Sequence, residues 1–311
     1  MRAYRVWHRT AYTYSKPVQD SVGQFHLVPR PLPWQRVEAS DVIVSPEPGD
    51  LSADRDYFGN SSTYFHVTDP HAELTITSSS EVVVDDPVYD QAALAQPWEH
   101  ARPLLHPEVP GAWRATEYAL ESTRARHVPE ATAYGAESLT PGRPLGEAAT
   151  DLMQRIFRDF TYDKTATTVT STVADAMRKR AGVCQDFAHV ALACLRGNGV
   201  AARYVSGYLA TEPAPGKERV FGADASHAWL AVWLPRVGDA GDVDAAGDAA
   251  DEGQWLAIDP TNNQWANDRY VTVAWGRDYG DVSPVKGIIF TKAKRSTLRV
   301  QVDVAPRGEH A

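Results

Sequence analysis

Cysteine is scarce in this sequence, which holds two, Cys184 and Cys194, among 311 residues. Both fall on one predicted helix, where ten residues separate their Cα atoms by about 15 Å. A disulfide needs Cα atoms within about 7 Å, so these two cannot bridge each other. A disulfide framework is therefore excluded, and a reducing compartment, the cytoplasm, fits the sequence best.

Long apolar runs and an excess of positive charge are also missing. Residues 1–8 have no apolar segment of the signal-peptide type, and no uninterrupted apolar run reaches the ~18 residues of a membrane helix. Lys and Arg number 31 against 40 Asp and Glu, which gives a net charge of −9. Nucleic acids and anionic membranes select basic faces, so we expect neither as the main partner.

Clusters of metal ligands are absent from the sequence pattern as well. His66 and His71 flank a predicted Asp-Pro turn, and no Cys or His set completes a zinc site. The Gly-, Asp- and Ala-rich segment 236–254 partly resembles a calcium loop, but Gly253 stands where a bidentate Glu is needed. We therefore expect no metal and no cofactor, and predict a solvated, dispensable loop across this segment.

A hydrophobic content of 43% and nine Trp residues provide enough apolar surface for a substantial core. Strand patterns dominate residues 1–90, among them 37–44 and 72–84, which favours a sandwich-like sheet. The predicted organisation is a β-rich domain over 1–90, a helical connector over 91–150, a catalytic core over 151–290 and a C-terminal strand and tail over 291–311. The alternating strand at 298–304 is expected to return to a sheet built earlier.

Helical spacing marks four segments in the middle of the chain: 113–126, 145–160, 172–179 and a helix that starts at Cys184 and ends near Gly197 and Gly199. Strand patterns then return at 202–209, 227–234 and 255–259. A helix packed on an antiparallel sheet accounts for this order, so the predicted fold class is α+β.

Cys184 is the residue most suggestive of chemistry. It follows an irregular segment at Gly182 and begins an apolar helix, so the free N–H groups and dipole of the first turn favour a thiolate. A thiolate is the nucleophile that thiol-dependent acyl transfer requires. The alternative is a small buried core residue, which is the reading we favour for Cys194.

His227 and Asp259 can complete a site with Cys184. His227 begins one predicted strand and Asp259 ends the next, so antiparallel pairing would make them cross-strand neighbours. Nucleophile, base and base-orienting carboxylate then form the general triad. The alternatives are a core histidine for His227 and an Asx turn for Asp259. His189 lies five helical steps past Cys184, rotated by about 140°, and is expected to face elsewhere.

Several ordered motifs resemble the bacterial transglutaminase-like superfamily. They are Gly182-Val183-Cys184-Gln185-Asp186-Phe187-Ala188-His189, Ala202-Arg203-Tyr204-Val205-Ser206-Gly207-Tyr208, His227-Ala228-Trp229, Asp259-Pro260-Thr261-Asn262, and a tail motif over 276–287. Segments within 4–30 are similar to its N-terminal β domain. The resemblance implies a papain-like core in which Cys184 is the nucleophile, His227 the general base and acid, and Asp259 the orienter. Ala231 departs from the family, which often has Glu there.

The expected function is thiol-dependent hydrolysis of an amide bond in a peptide or protein, through a thioester acyl-enzyme. Amide transfer or deamidation on the same three residues is the alternative within the enzymes. The alternative from another class is a binding module that keeps the fold without catalysis. The sequence predicts neither the substrate's identity nor the oligomeric state.

Overall fold

A computed structural model describes residues 1–211, 221, 226–237 and 253–307. The strands are β1 (Arg2–Phe25), β2 (Gln35–Ser45), β3 (Asp50–Arg55), β4 (Ser61–Val67), β5 (His71–Val84), β6 (Thr161–Tyr162), β7 (Ala181–Gly182), β8 (Ala202–Leu209), β9 (Ser226–Leu234), β10 (Gln254–Asp259), β11 (Gln264–Trp265), β12 (Tyr270–Gly276), β13 (Val285–Thr291) and β14 (Ser296–Pro306). The α-helices are α1 (Gln91–Ala95), α2 (Ala112–Ala115), α3 (Pro129–Ala136), α4 (Leu145–Asp159), α5 (Val173–Lys179) and α6 (Cys184–Gly197). An antiparallel β domain thus precedes a core of helices and sheet, which confirms the predicted α+β class.

The N-terminal sheet has seven strands in four rows: β1 alone, β4 followed by β5, β13 followed by β14, and β2 followed by β3. Strand β1 lies between two antiparallel neighbours, β4 with β5 on one side and β13 with β14 on the other. Strands β2 and β3 form one edge of the sheet, where β2 pairs with β5 and β3 pairs with β4. The predicted return of the C-terminal strand is confirmed, because β14 runs beside β1 from Tyr4↔Pro306 to Tyr14↔Ser296.

Each long strand of this sheet is interrupted at the same level. The pairing of β1 with β13 shifts between Val18 and Asp20, and its pairing with β5 shifts between Thr13 and Val18. A β-bulge adds a residue and bends the strand that carries it. A small core lies at this level and contains Tyr14, Val18, Phe25, Leu27, Val44, Phe65, Val67, Leu74 and Ile76. Where the sequence predicted a sandwich-like sheet, the structure has one interrupted sheet with its own core.

Helix α6 is the centre of the second unit. It packs on the five-stranded sheet β11-β10-β9-β8-β12 and on α3 and α5. Every residue from Asp186 to Arg196 is buried, so this helix is enclosed on all sides and not merely along one stripe. The main core continues into the N-terminal sheet through Val302 and Val304, both fully buried. This continuity holds the start of α6 in place relative to both sheets.

The helix predicted over 113–126 is largely wrong. Only α2 and a 3-10 turn at Thr116–Ala119 form, and the chain is extended at Leu120. Tertiary partners replace the helical hydrogen bonds. Arg196 of α6 donates to the Tyr118 carbonyl at 2.9 Å, and the Asp278 carboxylate accepts from the Arg124 N–H at 2.7 Å. The other three predicted helices are confirmed, with ends shifted by one residue at most for α4 and α5 and with α6 ending at Gly197 as predicted.

Alternating arginine and tryptophan side chains join the two units. Arg30 stacks on one side of Trp275 and Arg203 lies against the same ring, each with its guanidinium carbon 3.5 Å from the ring centroid. Arg203 also lies 4.3 Å from the Trp255 centroid. Stacking of this kind suits the planar, weakly hydrated guanidinium and allows the Arg203 cation to be buried.

The segment 238–252, within the predicted solvated loop, lies outside the described residues. In the described part of the chain, no helix is both long and apolar enough to cross a membrane.

Candidate active site

The start of α6 is fixed by the residues around Cys184. The short strand β7 pairs in parallel with β6, which brings Tyr162 beside Gly182. The Asp186 carboxylate accepts from the Val183 N–H at 2.8 Å and satisfies a donor that the helix leaves free. A Cβ on Gly182 would lie 2.6 Å from Asp186 Oδ2, so glycine is required there. Cys184 is thereby held, partly exposed, at the first helical position.

His227 and Asp259 lie on neighbouring antiparallel strands, β9 and β10, as predicted. The register pairs Leu230 with Ile258, so His227 and Asp259 are diagonal neighbours and not directly opposite. His227 Nε2 lies 2.7 Å from Asp259 Oδ2. Cys184 lies near enough to His227 to raise the pKa of the imidazole. Asp259 engages Nε2, which leaves Nδ1 as the ring nitrogen available to another partner.

Two opposing effects set the charge of His227. Burial lowers the pKa of His227, but hydrogen bonds with Asp259 and Cys184 and the negative charge of both partners outweigh it and raise the pKa to about 10. The imidazole is therefore favoured in its protonated form at neutral pH. Its side chain is 11% exposed and that of Asp259 is fully buried, so water screens this pair weakly.

Asp259 is held by more donors than sequence analysis anticipated. Its Oδ2 accepts from Asn262 Nδ2 and from the Tyr270 hydroxyl, each at 2.7 Å, and its Oδ1 accepts from the Thr261 N–H at 2.8 Å. Burial raises the pKa of Asp259, but the hydrogen bond and charge of His227, with those of Asn262 and Tyr270, bring it below its usual value.

Tyr270 is a site residue that the sequence analysis missed. It lies on β12, three strands away in the sheet order from β10, which carries Asp259. No local motif includes it. Its ring meets Trp229 edge-on at 5.2 Å, and its hydroxyl accepts from Gln264 Nε2 at 2.6 Å. Asn262 was part of a motif without an assigned role, and here its side chain reaches both His227 and Asp259. Gln264, Tyr270 and Asn262 thus restrict the orientation of the carboxylate.

The other titratable candidates lie apart from this site. His189 accepts from the Tyr279 N–H at 3.2 Å inside the core, and burial lowers its pKa to about 4. Cys194 is fully buried, and burial raises the pKa of its thiol to about 12. Among the described residues, no group of three or more His, Cys, Asp or Glu side chains could hold a metal ion.

Comparison with known families assigns the two units separately. Residues 4–83 match the bacterial transglutaminase-like N-terminal region, and residues 132–260 match the transglutaminase-like superfamily. The second match contains Cys184, His227 and Asp259. The resemblance inferred from the sequence motifs is therefore confirmed at the level of the family.

Related proteins cover nearly the whole chain. Uncharacterized proteins of Mycobacterium bovis and Mycobacterium tuberculosis are 46% identical over 306 residues, which is 97% of this chain and 92% of each relative. A crystal structure from Cytophaga hutchinsonii, provisionally named a cysteine protease, superimposes with a TM-score of 0.74 at 17% identity and covers 100% of this chain and 93% of that one. That similarity concerns the fold. The chain belongs to the transglutaminase-like superfamily and carries the bacterial transglutaminase-like N-terminal region.

Proposed function

We propose that the protein cleaves an amide bond in a peptide or protein through a thioester formed on Cys184. The observation that carries the proposal is the position of His227, whose ring hydrogen-bonds with buried Asp259 and lies near enough to Cys184 for the cysteine to raise its pKa. A nucleophile, a base and an orienting carboxylate in contact are the requirements of covalent acyl transfer.

The proposed reaction has two halves. The Cys184 sulfur attacks the carbonyl carbon as a thiolate, its proton having passed to His227. The C–N bond then breaks, and the imidazolium gives that proton to the departing amine. In the second half, His227 takes a proton from water, the hydroxide attacks the thioester, and the C–S bond breaks. The carboxylic acid leaves and the thiolate and imidazolium are restored.

Residues at the first turn of α6 support the transition state. The Cys184 backbone N–H has no partner within its own helix, because the first four N–H groups of a helix have none. It is therefore available to the oxyanion that forms when the thiolate attacks, and the positive end of the helix dipole favours that charge.

Asp259 keeps the imidazole oriented and stabilises its positive charge, while Tyr270 and Asn262 keep Asp259 in place.

Transfer to an amine would use the same residues and the same thioester, as would deamidation of a glutamine. Hydrolysis is the function we favour, because Cys184 is partly exposed and water can reach the thioester. The fold similarity to a structure provisionally named a cysteine protease agrees with cleavage.

A peptide library incubated with the full-length protein, with and without a small primary amine, tests the proposal by mass spectrometry. We expect new peptide termini in water and none with Cys184→Ala or His227→Ala. An amine adduct in place of cleavage would assign transfer. If iodoacetamide labels Cys184 but no peptide is cleaved, deamidated or joined to the amine, the binding module is correct and the proposed enzyme is not.

A further inference from the structure

Residues 285–300, which comprise β13 and the first part of β14, form one edge of the N-terminal sheet and have a paired strand on one side only in the described part of the chain. That strand is β1, which pairs with them from Phe25↔Val285 to Thr10↔Val300, with a register shift between Val18 and Asp20. The other side of residues 285–300 presents a row of backbone N–H and C=O groups. Such a row is a template for another extended chain, and proteins usually cover it or shorten it.

Apolar side chains are unusually exposed along this edge. The exposed fractions are Ile288 67%, Ile289 38%, Phe290 58%, Leu298 58% and Val300 46%. Ile288 and Phe290 lie opposite Val22 and Asp20, so they share one face of the strand. Exposed single apolar residues are ordinary, but Ile288 and Phe290 lie two residues apart on one face of an edge strand, where the apolar side chains of an added strand would cover them.

The same edge is positively charged in an otherwise acidic protein. Residues 285–300 contain no Asp or Glu, and their five cations, all exposed, are Lys286, Lys292, Lys294, Arg295 and Arg299. The net charge of the whole chain is −9. Lysine on an edge strand also discourages pairing with a second copy, because like charges would meet. A partner of opposite charge meets no such barrier.

We propose that the β13–β14 edge, defined as residues 285–300, binds an acidic polypeptide segment in extended form, which adds a strand to the sheet. Its backbone would pair with the free edge of β13 and β14, its apolar side chains would cover Ile288 and Phe290, and its carboxylates would lie near the five cations. An anionic membrane would meet the charge and the apolar groups, but it offers no backbone donors and acceptors in strand register. The site involves neither Cys184 nor His227 and is separate from the proposed catalysis.

Binding of a fluorescent peptide of six Glu-Val repeats to the full-length protein, followed by anisotropy, tests this surface. We expect saturable binding whose dissociation constant rises at least about tenfold between 50 and 500 mM salt, because exposed charges are screened. A peptide of six Lys-Val repeats should not bind. A Glu-Val peptide in which alternate valines are proline should bind at least about tenfold more weakly, because proline lacks the N–H and breaks the strand.

Variants locate the binding on the protein. Lys292→Glu with Lys294→Glu should weaken binding at least about tenfold, through repulsion of the acidic peptide. Arg126→Glu with Lys164→Glu changes the charge equally at exposed positions elsewhere and should leave binding within about twofold. Ile288→Ser with Phe290→Ser tests the apolar contribution and should also weaken binding, without loss of folding, since both side chains are exposed.

Other outcomes would overturn the proposal. Equal binding by the Lys292 and Lys294 variant and the Arg126 and Lys164 variant would place the peptide elsewhere. Equal binding of the proline-containing peptide would exclude strand addition. Sedimentation with vesicles of phosphatidylcholine and phosphatidylglycerol, without peptide binding, would assign the edge to membranes. A dimer by light scattering that Ile288→Ser with Phe290→Ser dissociates would assign it to a second copy.

Discussion

Asp259 is the residue that ties the candidate site together. It is fully buried, and a buried carboxylate is costly unless its oxygens are hydrogen-bonded. Donors from His227, Asn262, Tyr270 and the backbone N–H of Thr261 supply those bonds. The carboxylate is therefore a rigid support for the imidazole, and each donor can be removed separately.

Tyr270→Phe removes the hydroxyl that donates to Asp259 and accepts from Gln264, and it keeps the aromatic ring. We expect turnover of an activated ester such as p-nitrophenyl acetate to fall about tenfold, the equivalent of about 1.4 kcal/mol. Alkylation of Cys184 by iodoacetamide should change less than twofold, because that reaction needs only the thiolate. Tyr208→Phe is the matched control, since this buried hydroxyl bonds His8 instead, 3.0 Å away. Equal loss of turnover in both variants would make the effect one of stability.

Asp259→Asn should move the alkaline limit of activity to lower pH. The carboxylate raises the pKa of His227, so a neutral amide lets the imidazolium lose its proton earlier. The native protein should lose activity as pH rises through about 10, where His227 ceases to be an acid. Cleavage of a peptide amide measured from pH 6 to 11 should show the variant's limit at least about one unit lower. An unchanged limit would mean that another group controls it.

The two cysteines should differ sharply in reactivity. Iodoacetamide at neutral pH should label Cys184 and abolish activity, while Cys194 stays unlabelled until the protein unfolds, because burial keeps its thiol neutral and inaccessible. Cys184→Ala should remove labelling and activity with folding intact. Cys194→Ala should preserve both, with a loss of about 1–2 kcal/mol from packing. Peptide mapping by mass spectrometry decides the order, and labelling of Cys194 first would contradict the assignment.

The candidate site residues that lie in a local pattern were predictable from the sequence. Cys184 follows a glycine break before an apolar helix, and His227 and Asp259 lie at the ends of strands. Tyr270 gave no such signal, because only the pairing of β12 with β8 brings it across the sheet to Asp259. The periodicity of the sequence does not predict a residue whose position in the site depends on long-range strand pairing.

At the level of elements, the start of α6 is the critical feature. Asp186 accepts from the Val183 N–H at 2.8 Å and from the Thr167 hydroxyl at 2.6 Å, and it packs against Gly182. One buried carboxylate therefore joins the strand before the helix, the loop before α5 and the first turn that carries Cys184. Displacement of that turn would displace the sulfur from His227.

Asp186→Ala should slow alkylation of Cys184 at least about fivefold and lower the free energy of unfolding by about 1–2 kcal/mol, the usual value of a lost helix cap. Asp175→Ala is the matched control, because Asp175 holds the same third position in α5 and accepts from the Thr172 N–H at 3.1 Å. Alkylation of Cys184 should be unaffected there. Equal rates in the two variants would show that the cap does not position the thiol.

Elements with their own periodicity were predictable, and elements shaped by partners were not. Helix α4 carries its apolar stripe and forms as expected. The segment 113–126 has similar spacing, but Arg196 and Asp278 bind its backbone groups and leave it mostly irregular. Buried charges with specific backbone partners outweigh helix propensity, which is worth less than about 1 kcal/mol per residue.

For the whole molecule, the C-terminal strands contribute to the main core and to the pairing of β1. Val302 and Val304 of β14 are fully buried in the main core, where each contributes roughly 1.5–3 kcal/mol. A chain that ends at residue 284 would also expose one side of β1. We expect it to lose cooperative thermal unfolding and the near-ultraviolet circular dichroism of its tryptophans. Retention of the native melting temperature would show that the core folds without the closed sheet.

The position of β1 between its two neighbours has a consequence for synthesis on the ribosome. Its partner β5 ends at Val84, but its other partner begins only at Val285, about 200 residues later. At about 5–20 residues per second, the nascent chain waits roughly 10–40 s with one side of β1 open. Throughout that interval the first strand made is the one most able to pair with a neighbouring polysome's product. Slower translation lengthens this exposure, so this protein is at greater risk of misassembly during its synthesis than after it has folded.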